Sequence, residues 1–134
     1  MLSYLLDTNM CIYVKRQRPP LVLARFSGVD VGDAAISVIT YGELVYGAEK
    51  SDRRTRVLRD LREFVGLVAV LPLPQEAAEA YANIRAGLER KGEMIGNNDL
   101  WIAAHARAAG LILVTNNVRE FRRVPGLKIE NWAV

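Results

Sequence analysis

One cysteine, Cys11, and one histidine, His105, occur in 134 residues. A single thiol closes no internal disulfide, so a packed core has to hold the fold, and the chain suits a reducing compartment. One histidine and one cysteine are too few for a zinc cage, and no second histidine exists for an acid–base pair of imidazoles. His105 is expected to pack near a sheet. No apolar run approaches the roughly 18 to 20 residues that span a bilayer. The first residues show neither a basic leader segment nor a cleavage pattern. We therefore expect a soluble, unprocessed, cytoplasmic chain with no membrane partner. No Gly-rich loop ends in Gly-Lys-Ser or Gly-Lys-Thr, which disfavours nucleotide hydrolysis on a phosphate loop. Internal repeats, low-complexity segments and linkers are also missing, so one domain over residues 1–134 is expected.

What the chain does have is a globular balance: 51% hydrophobic and 25% charged residues. Lys and Arg number 18 against 15 Asp and Glu, a net charge of +3, with a pI near 9.2. That mild excess favours a polyanionic partner, the more so if several acids are sequestered in one pocket.

Short apolar or β-branched runs mark five candidate strands: Tyr4 to Leu6, Ala34 to Ile39, Leu67 to Leu71, Leu111 to Thr115, and Leu127 to Ile129. Between them, Thr40 to Lys50, Arg53 to Gly66, Gln75 to Lys91 and Asn98 to Ala109 repeat apolar residues at helical spacing. Strands alternating with helices imply an α/β fold with a parallel sheet covered on both faces. Pro19 and Pro20 should break the first helical stretch, and Gly110 sits where a helix should end. The charged stretch Lys50 to Arg62 reads as a solvated helix with pairs such as Arg56 with Asp60 and Arg59 with Glu63, or as a surface for a partner.

Four oxygen-bearing sites fall where a strand ends or a helix starts. Asp7 closes the first strand, as an N-cap or as a ligand. Thr40-Tyr41-Gly42-Glu43 spells a capping box, which would turn Glu43 back onto the backbone; a catalytic Glu43 has to point away. Asp99 falls in the first turn of a helix, where the dipole favours an acid, yet Ile102 and Ala103 next to it belong to the buried face. Thr115, Asn116, Asn117 and Glu120 follow the fourth strand, as turn and cap residues or as part of the same crevice. In a parallel sheet the strand ends share one edge, so these groups can meet. Several carboxylates at close range need neutralising, and an oxygen-only donor set points to Mg²⁺ or Mn²⁺.

Taken in order, Leu6-Asp7-Thr8-Asn9, Gly42-Glu43-Leu44, Ile95-Gly96-Asn97-Asn98-Asp99 with Ile102-Ala103-Ala104, Leu113-Val114-Thr115-Asn116-Asn117 with Glu120-Phe121, and the closing Glu130-Asn131-Trp132 resemble PIN-domain ribonucleases. The similarity is to the VapC toxin branch of type II toxin–antitoxin systems. It implies a PIN-like three-layer α/β/α sandwich with a five-stranded parallel sheet. It also implies an endoribonuclease that uses Mg²⁺ or Mn²⁺ to activate water on tRNA or another structured RNA, leaving 5′-phosphate and 3′-hydroxyl ends. By position, Asp7, Glu43 and Asp99 match the acidic triad, with Asp7 and Asp99 as metal ligands and Glu43 as a further ligand, water-orienting group or base. Thr8 and Thr115 would hydrogen-bond the carboxylates. Many relatives carry a fourth acid where this chain has Asn117, and Glu120 is the candidate to compensate. Arg85 and Lys91 are candidate RNA contacts. The implied partners are a VapB-type antitoxin and a second copy of the chain in a homodimer.

Two rival readings are weaker. A phosphatase of the haloacid dehalogenase type wants a second acid two residues after Asp7, where Asn9 stands. A non-catalytic PIN domain would have lost acids that are all present here.

Overall fold

Leu5 and Leu6 are neighbours on a strand, so their side chains leave opposite faces of the sheet. Both are fully buried. Cover on both faces follows, and the computed structural model, which describes residues 1–134, provides it. The elements run β1 (Tyr4–Leu6), α1 (Thr8–Arg16), α2 (Pro20–Ser27), β2 (Ala34–Ser37), α3 (Val38–Glu49), α4 (Arg54–Leu67), β3 (Ala69–Leu71), α5 (Glu76–Lys91), α6 (Asn97–Ala109), β4 (Ile112–Val114), α7 (Val118–Phe121) and β5 (Ile129–Glu130).

The five strands form one sheet in the order β3-β2-β1-β4-β5. All four pairings are parallel. Every strand therefore delivers its carboxyl end to the same edge, and β1 lies in the middle. Leu5 and Leu113 face one layer, packing with Ile84 and Leu88 of α5, Leu100 and Ile102 of α6, and Phe121. Leu6, Ile36 and Val114 face the other, packing with Met10 of α1, Leu44 of α3, Leu61 and Phe64 of α4, and Trp132. The result is the expected α/β/α sandwich.

Local boundaries shift for physical reasons. Helix α2 adds to the expected elements, because Pro19 and Pro20 read as a break. Pro20 in fact opens the helix, at the first position, where its missing N–H costs nothing. Helix α3 begins at Val38, ahead of the expected Thr40, since β2 ends at Ser37 and the Ser37 hydroxyl accepts from the Ile39 N–H at 3.2 Å. The expected pairs within α4 do not form. Arg54 makes two bonds to the Glu49 carboxylate, at 2.8 and 3.0 Å, and Arg59 lies 3.8 Å from Asp60.

Candidate active site

The register of β1 on β4 builds the centre of the site. Leu6 lies opposite Val114, and the Asp7 N–H donates to the Val114 carbonyl at 3.0 Å, so Asp7 and Thr115 emerge side by side at the sheet edge. The Thr115 hydroxyl donates to Asp7 Oδ2 at 2.6 Å and accepts from the Asn117 N–H at 2.9 Å. Asp7 Oδ1 accepts from the Met10 N–H at 2.8 Å, so this carboxylate does cap α1. Only 5% of Asp7 is exposed. Burial raises its pKa, the hydrogen bonds from Thr115 and Met10 oppose that rise, and the charge of Glu43 adds to it.

Glu43 comes from α3, and the capping box that would have tied it to the backbone is not made. Ser37 holds the cap position, three residues upstream. The Thr40 hydroxyl is buried without a partner. Glu43 is thereby free to leave the helix, and its Oε1 accepts from the Thr8 hydroxyl at 2.6 Å. Thr8 is the first residue of α1, next to Asp7.

Asp99 lies in the first turn of α6, half-buried. Its pKa is raised to about 6, by burial first and then by the charges of Asp7, Glu43 and Glu120. The charges of Asp7, Glu43 and Glu120 all act on Asp99, so the carboxyl that follows β1 and those carried by α3, α6 and α7 lie on the same side of the sheet. No Lys or Arg forms an ion pair with any of them.

Asn117 sits at the start of α7 and makes no side-chain cap. Its N–H fixes Thr115 instead. Arg85 donates to the Tyr81 hydroxyl at 2.7 Å and lies 3.5 Å from Glu89; Tyr81 donates in turn to Asn97 at 2.6 Å. Through Tyr81 and Asn97, Arg85 thus reaches the first residue of α6. Lys91 is exposed in the last turn of α5 and pairs with none of the acids. His105 is buried with Nδ1 2.9 Å from the Ser37 hydroxyl, and burial lowers its pKa, so it is a neutral strut between α6 and the β2–α3 junction. Sequence reasoning did not find Ser37, Tyr81 or Asn97.

The donor set suits a hard divalent cation: carboxylate and hydroxyl oxygens only, with no ion pair to a lysine or arginine. No three of the His, Cys, Asp and Glu side chains are gathered tightly enough to cage an ion.

Fold and crevice together define a class: a parallel α/β protein with an acidic, all-oxygen site at the carboxyl edge of its sheet. The family described as PIN domain matches residues 4–127. "Ribonuclease VapC2" of Haemophilus influenzae is 47% identical over 132 residues, 98% of this chain and 99% of that protein. A "tRNA(fMet)-specific endonuclease VapC" of Shigella flexneri is 46% identical over 133 residues, 99% of this chain and all of that one. The structure of DNA-bound VapBC from Salmonella typhimurium superposes with a TM-score of 0.92 at 44% identity, covering 98% of this chain and 99% of that chain. The chain belongs to the PIN-domain family and, within it, to the VapC ribonucleases.

Proposed function

We propose that this ribonuclease is the toxin of a toxin–antitoxin pair, hydrolysing tRNA or another structured RNA with Asp7, Glu43 and Asp99 as its acidic triad and Mg²⁺ or Mn²⁺ as its cofactor. The observation that carries this reading is geometric: Thr115 holds Asp7 and Thr8 holds Glu43, each at 2.6 Å, at the carboxyl edge of the sheet where α6 brings Asp99. The tRNA substrate is supported by relatives named for that activity at 44 to 46% identity.

Asp7 and Asp99 would hold the cation, with Glu120 beside Asp99 supplying the charge that Asn117 lacks. A divalent ion bound there supplies charge neutralisation for a phosphoryl group and lowers the pKa of attacking water. Thr115 fixes the rotamer of Asp7 through Oδ2. Thr8 fixes Glu43 through Oε1, leaving Oε2 to orient a water or accept its proton. Hydrolysis of this kind needs no RNA 2′-hydroxyl as nucleophile, and of the two bonds that water could break the resemblance to PIN-domain ribonucleases implies the one that leaves 5′-phosphate and 3′-hydroxyl ends.

Incubation of the protein with bulk tRNA and Mg²⁺ or Mn²⁺, with end-mapping of the fragments, tests the proposal. Cleavage should stop with EDTA and fall by about a hundredfold or more in Asp7→Asn and in Asp99→Asn, with unchanged circular dichroism. Undiminished cleavage by both variants overturns it.

The proposal extends to partners and place. Related solved structures are toxin–antitoxin complexes, which supports a VapB-type antitoxin here, acting on a homodimer in the cytoplasm. No helix is long and apolar enough to cross a membrane. Co-expression with the antitoxin encoded beside this chain should restore growth that the chain alone arrests.

A further inference from the structure

Four carboxylates draw a cation but repel the phosphates on either side of a scissile bond, so an RNA chain needs cationic anchors outside the crevice. Two cavities flank α1. One, of about 370 Å³, has Thr8 and Glu43 at one end and Lys15 and Arg16 in its wall. The other, of about 560 Å³, is lined by Tyr13, Arg16, Arg18 and Asn116, with Pro19 and Pro20. Arg16 belongs to both. Asn116 directly follows Thr115 in the chain, and the Thr115 hydroxyl holds Asp7, so one lining residue of the second cavity is tied through the backbone to the partner of the first acid.

The end of α1 shapes this second cavity. Gln17 takes a left-handed φ of 57°, and the Arg18 N–H folds back onto the Tyr13 carbonyl at 3.1 Å. Arg16 and Arg18 are thereby held on the same turn as Tyr13. Neither arginine pairs with a carboxylate. The helix dipole accounts for a basic residue at Arg16, in the last turn; it does not account for Arg18 beyond the cap, nor for the aromatic and amide groups facing the same space. Asn116 donates to the Tyr13 hydroxyl and accepts from Asn131, both at 3.3 Å and exposed. Bonds so long and so wet are easily exchanged for a ligand's.

We propose that Tyr13, Arg16, Arg18 and Asn116 form a subsite for a nucleotide flanking the scissile bond of the RNA substrate. Arg16 and Arg18 hold its phosphate, the Tyr13 ring offers a stacking face, and the Asn116 amide meets the base edge. The subsite rests on the ribonuclease reading above. It is a specificity site, set apart from the groups that do the chemistry.

The test uses the full chain and bulk tRNA. Arg16→Gln/Arg18→Gln should raise KM about tenfold or more with kcat changed less than about threefold. Fluorescence anisotropy of a labelled tRNA on an Asp99→Asn background should show the matching loss of affinity. The slope of log affinity against log salt should become shallower by about one for each phosphate that the variant no longer grips. Arg16→Lys/Arg18→Lys should recover part of the affinity, which a merely structural defect would not do. Asn116→Ala should redistribute cleavage among RNAs differing in the base next to the cut. Unchanged KM, affinity and salt slope in the Gln double variant, with the wild type cleaving normally, overturn the subsite and leave the ribonuclease reading standing. A double variant that loses its antitoxin but keeps RNA affinity also overturns it and assigns the surface to the protein partner. A wild-type chain that cleaves no RNA overturns the parent reading and the subsite with it.

Discussion

Asp99 carries a burden that burial imposes first and the other acids increase. Its folded pKa is about 6 against the ordinary 3.8, so above pH 6 the folded chain holds a charge that the unfolded chain carries more easily. Below the unfolded pKa both states are protonated and the difference vanishes. In EDTA at pH 7.5, Asp99→Asn should therefore melt higher than the wild type, and the gap should close as pH falls from 6 to below 4. Solvent screening at a half-buried site limits the gain to the order of 1 kcal/mol. A variant no more stable than the wild type at pH 7.5 would contradict a charge held at Asp99 against burial and its acidic neighbours. Two hydroxyls predict opposite signs. Thr115→Val removes a donor from a buried carboxylate and should cost about 1 to 3 kcal/mol in urea unfolding. Thr40→Val removes a buried hydroxyl that bonds to nothing, and should be neutral or stabilise by about 1 kcal/mol.

Among the elements, α3 depends most on one side chain. Ser37 caps it and also meets His105, so Ser37→Ala should cost about 1 to 2 kcal/mol and loosen α6, which thermal melts and hydrogen exchange of α3 and α6 would register. Ser37 also explains what is legible in the sequence. Strand β1 is readable because an apolar run stops at Asp7, and that stop is local. The capping box is a decoy, since its pattern is satisfied by Thr40 and Glu43 while the true start is set by where β2 ends. The Arg–acid pairs of α4 mislead as well: Arg59 lies 3.8 Å from its sequence neighbour Asp60 and forms no pair with Glu63, four residues on. Thr8 on Glu43 is visible through the family resemblance alone, because 35 residues separate the partners. Tyr13 and Asn116 meet across 103 residues, and no local pattern announces them. Parallel topology brings such groups together, and topology is a property of the whole chain.

At the scale of the molecule, the net charge of +3 and the acidic crevice act in opposite senses. In the proposed reaction the bulk charge would attract RNA, the crevice would repel it, and a bound cation would relieve the conflict. Millimolar Mg²⁺ or Mn²⁺ should raise the melting temperature of the wild type and do so less in Asp7→Asn or Asp99→Asn, by the linkage of binding to folding; an equal rise in all three would place the ion elsewhere. The same two cores that seat the acids also govern how the protein fails. Strand β1 is three residues long, with Leu5 in one hydrophobic cluster, Leu6 in the other and Asp7 next in line. Truncating either leucine to Ala costs about 2 to 5 kcal/mol, a large share of the roughly 5 to 15 kcal/mol that holds a domain together. A selection for cells that survive expression of the chain without its antitoxin should therefore return Leu5 and Leu6 alongside Asp7, with escape mutations scattered through both layers of the sandwich. The proposed toxicity would then depend on both cores as much as on the acids, and a chain that folds badly would disarm itself.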